Sequence, residues 1–106
     1  MIISTTENIA GYSIKEHLGT VIGNTIRARH VGKDIMASFR TIIGGEIKEY
    51  TGMMAESREQ SMMRMKDKAK ELGADAVVGV RFQTSMILSG TAELLVYGTA
   101  VKLEKS

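Results

Sequence analysis

Ala92-Glu93-Leu94-Leu95-Val96-Tyr97-Gly98-Thr99-Ala100-Val101-Lys102-Leu103 is apolar on both of its alternating faces. Successive side chains of a strand point to opposite sides of its sheet. Ala92, Leu94, Val96 and Ala100 therefore share one face, and Leu95, Tyr97, Val101 and Leu103 the other. A sheet that contains this strand needs cover on both sides. Residues 76–87, also rich in Val and other strand formers, precede it across Leu88-Ser89-Gly90-Thr91, a loop of hairpin composition.

Further upstream the period changes from two to that of a helix. Met54, Met62, Met65, Ala69 and Leu72 recur on one face and predict a helix over residues 47–72, with Gly73 as its stop. Lys66, Lys68 and Lys70 suit the negative pole of its dipole. Before it, Asp34 followed by Ile35, Met36, Phe39, Ile42 and Ile43 predicts a shorter helix, stopped by Gly44-Gly45. Residues 13–28, with Ile14, Leu18, Ile22 and Ile26 on one parity, predict a long strand, bent or bulged at Gly19 and Gly23. The order strand, helix, helix, β-hairpin predicts an α+β fold, an antiparallel sheet with two helices packed on one face, in a single domain spanning 1–106.

Composition narrows the function classes. With 43% apolar and 25% charged residues the chain has neither the apolar poverty nor the charge excess of a disordered one. It contains no cysteine, which removes disulfides, thiolate metal sites and thiol catalysis. No segment approaches the roughly 20 apolar residues of a membrane span, and the N-terminus lacks the pattern of a signal peptide. A soluble, cytoplasmic protein with no membrane partner is the expectation. The net charge of +2 is too small for a nucleic-acid-binding face. Arg27, Arg29, His30 and Lys33 would be the residues of a nucleic-acid contact, the weakest alternative, with no aromatic residue among them on which bases would stack.

Helices connected in this way cover one face of a sheet. The other, with Leu95, Tyr97, Val101 and Leu103, would form a contiguous apolar patch of the kind that marks an interface. Three long strands also leave two unpaired edges, a template for further pairing. Both features predict a homo-oligomer. The alternative is a monomer in which the N-terminal strand or the segment from Thr6 to Tyr12 folds over that face.

Several of these residues form a recognisable pattern: Ser4-Thr5-Thr6, Gly44-Gly45, Tyr50, Arg58-Glu59, and above all Leu72-Gly73-Ala74-Asp75-Ala76-Val77-Val78-Gly79 and Gly98-Thr99-Ala100-Val101. In these the chain resembles, over nearly its whole length, the YbjQ-like family, whose label is heavy-metal binding and whose function is not established. The resemblance implies a dodecin-like subunit assembling into a ring, with five copies in the assembly. A soft metal prefers thiolate, which this chain does not offer.

Few residues qualify as site candidates. Among the eight methionines, Met53, Met54, Met62, Met63 and Met65 cluster in sequence, but only Met54, Met62 and Met65 share a helical face, which suits packing better than a thioether centre for Cu(I). His17 and His30 stand about 40 Å apart on an extended strand and cannot share a metal within one chain. Arg58 falls near the centre of the face set by Met54, Met62 and Leu72, where a guanidinium must be paired. Its partner is either a carboxylate, such as Glu59 of the partner subunit or Asp75, or a bound anion with Tyr50 nearby. Asp75 serves as a ligand or as a turn residue. No catalytic constellation, phosphate-binding glycine loop or cofactor motif is present. Two functions fit: a homo-oligomer, by resemblance a pentamer, that holds a metal ion or small ligand between subunits, or an enzyme whose interface site uses Arg58, Glu59 and Tyr50.

Overall fold

The computed structural model describes residues 1–28, 42–43, 46–88 and 90–106. Its elements in chain order are β1 (Ile2–Ile3), β2 (Tyr12–Ala28), β3 (Ile42–Ile43), β4 (Glu46–Ile47), α1 (Lys48–Glu71), β5 (Ala76–Leu88) and β6 (Thr91–Lys105). The main sheet has the order β1-β5-β6-β2. β6 pairs antiparallel with β2 and β5, whereas β1 runs parallel to β5, with Ile2 opposite Ala76 and Ile3 opposite Val77.

The sheet is thus mixed rather than antiparallel, and among the described residues one helix packs on it, not two. The expected first helix over 34–43 lies mostly outside the described residues, as does its expected stop at Gly44-Gly45. Its last two residues, Ile42 and Ile43, form β3 and pair antiparallel with Ile47 and Glu46 of β4. The reason is local. Two β-branched residues followed by Gly-Gly and then Glu-Ile make a tight-hairpin signal as much as a helix stop. The structure is of one chain, so the ring implied by the resemblance is not part of it.

α1 buries Ser57, Ser61, Met65 and Ala69, four positions in steps of four that lie along one side of a helix. Met65 and Ala69 join Val21, Val77, Val80, Val96 and Ala100 in the main core. Ser61 Oγ donates to the Leu94 carbonyl (3.2 Å) and shares a hydrogen bond with Thr25 Oγ1 (3.1 Å), so the hydroxyls under the helix are satisfied. Gly23 of β2 lies directly beneath the backbone of Ser61 and Met65 and makes this close approach sterically possible. It is a contact point, not the bulge expected there. At its end α1 closes with Gly73 N donating to the Lys70 carbonyl and Ala74 N to that of Ala69, which leaves Leu72 47% exposed rather than on the core face.

Among the described residues, the second face of β6 is covered at one end only. Ala76, Val78 and Val101 form a small second cluster under Ile9, Ile14 and Leu103, so the Thr6 to Tyr12 segment does fold over this end. Leu95, half-buried, and Tyr97, exposed, lie beyond it, opposite Asn24 and the exposed Ile22 of β2.

Candidate functional site

The covered end of this face is where the sheet is least regular. The β2–β6 register shifts between Ile14 and Glu16 and again between His17 and Gly19, so His17 stands between two irregularities. The β5–β6 register shifts between Val78 and Arg81, and Gly79 in that shift has φ +63°, a conformation that costs other residues strain. Bulges re-aim side chains and concentrate beside functional sites. Here they border one open cleft of about 600 Å³, lined by Ile14, Val78 and Gly79 together with Glu7, Asn8, His17 and Thr99.

The loop that carries Glu7 and Asn8 is held in place by the residues before it. Ser4 N donates to the Val77 carbonyl (3.0 Å), Gly79 N to that of Thr6 (2.9 Å) and Val80 N to that of Ser4 (3.0 Å). Thr6 Oγ1 donates to the Asn8 carbonyl (2.6 Å), Thr6 N donates to Ser4 Oγ (3.1 Å), and Arg81 Nη1 donates to the Thr5 carbonyl (2.8 Å). Ser4-Thr5-Thr6 therefore ties the N-terminal segment to the first half of β5 and presents Glu7 to the cleft.

Of the residues singled out from sequence, His17 lines this cleft, whereas Arg58, Glu59 and Asp75 are not in its lining. Arg58 and Glu59 are exposed on α1, Arg58 at the flank of the Ser57 and Ser61 stripe and Glu59 on the opposite side. Tyr50 is in the first turn of the helix, and its side chain lies outside the described residues. From Arg58 to the end of α1 is about 20 Å at ~1.5 Å per residue, which removes Asp75 as its partner. Asp75 is a joint instead: Oδ2 accepts from Leu103 N (2.9 Å), its carbonyl accepts from Ile2 N, and its own N–H donates to Val101. Asp75→Ala is expected to cost about 0.5–1.5 kcal/mol in urea unfolding, with Asp75→Asn, which keeps an acceptor, recovering most of it. His30 is outside the described residues. Met65 is fully buried and Met62 packs against its cluster while Met63 is 62% exposed, so these methionines fill the core and do not gather into a thioether centre.

Glu7, Asn8 and Thr99 had no sequence pattern to join them to His17. The signals were indirect: the hydroxyl run that fixes the loop, and the glycines Gly19 and Gly79 at the bulges.

The sequence model of the family described as "Putative heavy-metal-binding" matches residues 1–104. The chain belongs to that family. YbjQ-type relatives called UPF0145 protein include one from Thermosipho africanus, 59% identical over 106 residues and covering 100% of this chain and 98% of its own. Another from Thermotoga maritima is 56% identical over 105 residues, with 99% of each chain covered. A third, from Methanosarcina acetivorans, is 54% identical over 103 residues, with 97% of each covered. A crystal structure of a protein of unknown function of the DUF74 family from Pediococcus pentosaceus superposes with a TM-score of 0.65 at 21% identity, covering 98% of both chains, and shows the fold.

The family's label can be tested against the donors present. Among the described residues no group of three or more His, Cys, Asp or Glu side chains comes together. The cleft offers one imidazole and one carboxylate, and the chain has no thiolate. This donor set does not fit a heavy-metal centre within one chain. No described helix is long and apolar enough to cross a membrane.

Proposed function

We propose that this YbjQ-type protein is a small homo-oligomeric binding protein, whose subunits associate through the outer half of β5 and which holds a small ligand in the cleft beside His17. One observation carries the association. The N-terminal segment pairs with β5 only as far as Val80, and every residue from Arg81 to Leu88 beyond it is exposed. On the helix side of the sheet, Phe82 and Met86 lie opposite Val96 and Ala92 of β6, but α1 packs over β2 and β6 and, among the described residues, little covers β5. Phe82 (45%), Met86 (78%), Ile87 (49%) and Leu88 (67%) are open to water.

An apolar strand with a free edge is a template for another chain, and soluble proteins protect such edges with charge or proline. The stretch from Phe82 to Leu88 has neither. A second copy supplies apolar surface of the same character, and an assembly of five closes through one repeated contact between two different patches of each subunit, the outer half of β5 being one of them. The radius of gyration, 17.3 Å, also exceeds the roughly 13 Å of a compact domain of this length, as befits a subunit shaped by its neighbours. At ~25 cal/mol per Å² of apolar area, covering these four side chains contributes several kcal/mol per subunit.

Light scattering on the purified chain is expected to return a multiple of 11.6 kDa, five being the number the family resemblance implies. The double variant Phe82→Lys, Met86→Lys is expected to run as an 11.6 kDa particle with an unchanged circular dichroism spectrum. A wild-type monomer at micromolar concentration, or a double variant that assembles as before, defeats the association.

A further inference from the structure

We infer that the cleft beside His17 is a site for a small organic cation, an ammonium group carried on a short apolar chain. The inference rests on the binding role proposed above and adds the class of ligand. Size comes first: about 600 Å³ is far more than a bare ion fills and falls within the range of pockets for organic molecules. Charge comes second. Glu7 is the one formally charged side chain of the lining, which contains no lysine or arginine. Lys15, next to Ile14 in sequence, is not in the lining, and Arg81, two positions from Gly79, already donates to the Thr5 and Val80 carbonyls. Lys102 faces Glu16 across the β2–β6 register.

The remaining chemistry is amphipathic. Ile14 and Val78 add apolar lining for a short alkyl chain, while the Asn8 amide, the Thr99 hydroxyl and the His17 imidazole give a cationic head further oxygen and nitrogen partners. The loop bearing Glu7 is tied by the Thr6 bonds to Gly79 and Asn8, so little ordering is left to oppose binding.

The test is a titration of the full-length protein followed by amide and imidazole NMR, with n-butylammonium as probe and butyrate and zinc chloride as comparisons. Saturable shifts of the Gly79 and Thr99 amides and the His17 ring are expected with n-butylammonium and not with butyrate. Glu7→Gln should weaken that binding about tenfold or more with its other amide positions unchanged, since a charge-assisted contact is lost. No saturable shift, equal binding of butyrate, an undiminished affinity in Glu7→Gln, or a response to zinc alone overturns the inference. The same titration on the Phe82→Lys, Met86→Lys variant separates the two proposals. Amine binding by a wild-type protein found to be monomeric removes only the association, and a wild-type oligomer that ignores the amine removes only the ligand class.

Discussion

Gly23→Ala is expected to cost about 3–5 kcal/mol of stability, the largest loss of any single methyl group added to the described sheet. A Cβ built at Gly23 runs into the Ser61 carbonyl oxygen and lies 2.6 Å from Met65 N and 3.1 Å from Met65 Cβ. Two of these obstacles are helix backbone, which cannot rotate aside as a side chain tip would. Relief requires α1 to lift from β2, and lifting breaks the Thr25–Ser61 pair and the Ser61 bond to Leu94 while opening the core around Met65. Overpacking alone typically costs about 1–3 kcal/mol, and the lost buried hydrogen bonds add to it. At roughly 4–8 °C per kcal/mol for a domain of this size, thermal unfolding at fixed protein concentration should fall by more than about 12 °C. Gly52→Ala is the control. It lies in α1 with open space around its Cβ position and should be neutral or stabilising by up to about 1 kcal/mol. A Gly23→Ala protein within about 1 kcal/mol of wild type would mean that helix and strand are not in this contact.

That contact marks where the sequence was readable and where it was not. β2, β5, β6 and α1 fall within a few residues of their expected limits, because each is long enough for its period to emerge. β1, β3 and β4 have two residues each, too few for any period, and β1 finds its partner more than seventy positions away. The parallel β1 is also what lays Ser4-Thr5-Thr6 along β5, so the cleft that follows from it was equally hidden. His17 carried no local sign of Glu7 or Thr99 as neighbours.

The side of α1 that packs on the sheet is legible only in part, for a related reason. Of the apolar residues at helical spacing, Met65 and Ala69 are buried and Met62 packs against the core, but Leu72 is exposed, and the other half of the buried stripe is serine. Ser57 and Ser61 belong inside because Gly23 and Thr25 below them offer room and hydrogen-bonding partners, a match between two elements that neither shows alone. Arg58, at the flank of that stripe, is exposed, so its charge needs no buried partner.

Met65→Ala and Leu72→Ala, which sequence periodicity treats alike, are therefore expected to differ widely. Met65 has no exposed surface and is the largest fully buried side chain of the core, enclosed by Val21, Val77, Val80, Val96 and Ala100. Its truncation leaves a cavity between helix and sheet and should cost about 2–5 kcal/mol, while Met65→Leu, nearly volume-conserving, should stay under about 1.5 kcal/mol. Leu72, almost half exposed past the last turn of the helix, has little transfer energy to lose, and its truncation should cost less than about 1 kcal/mol. Urea midpoints at one protein concentration, with slopes compared to confirm that the denatured state is unchanged, measure all three. Equal losses for Met65→Ala and Leu72→Ala would place the end of α1 against the core after all. A large loss confined to Met65 fixes the helix to the sheet along the Ser57, Ser61, Met65 and Ala69 stripe, which is the geometry that leaves the outer half of β5 uncovered and available to another chain.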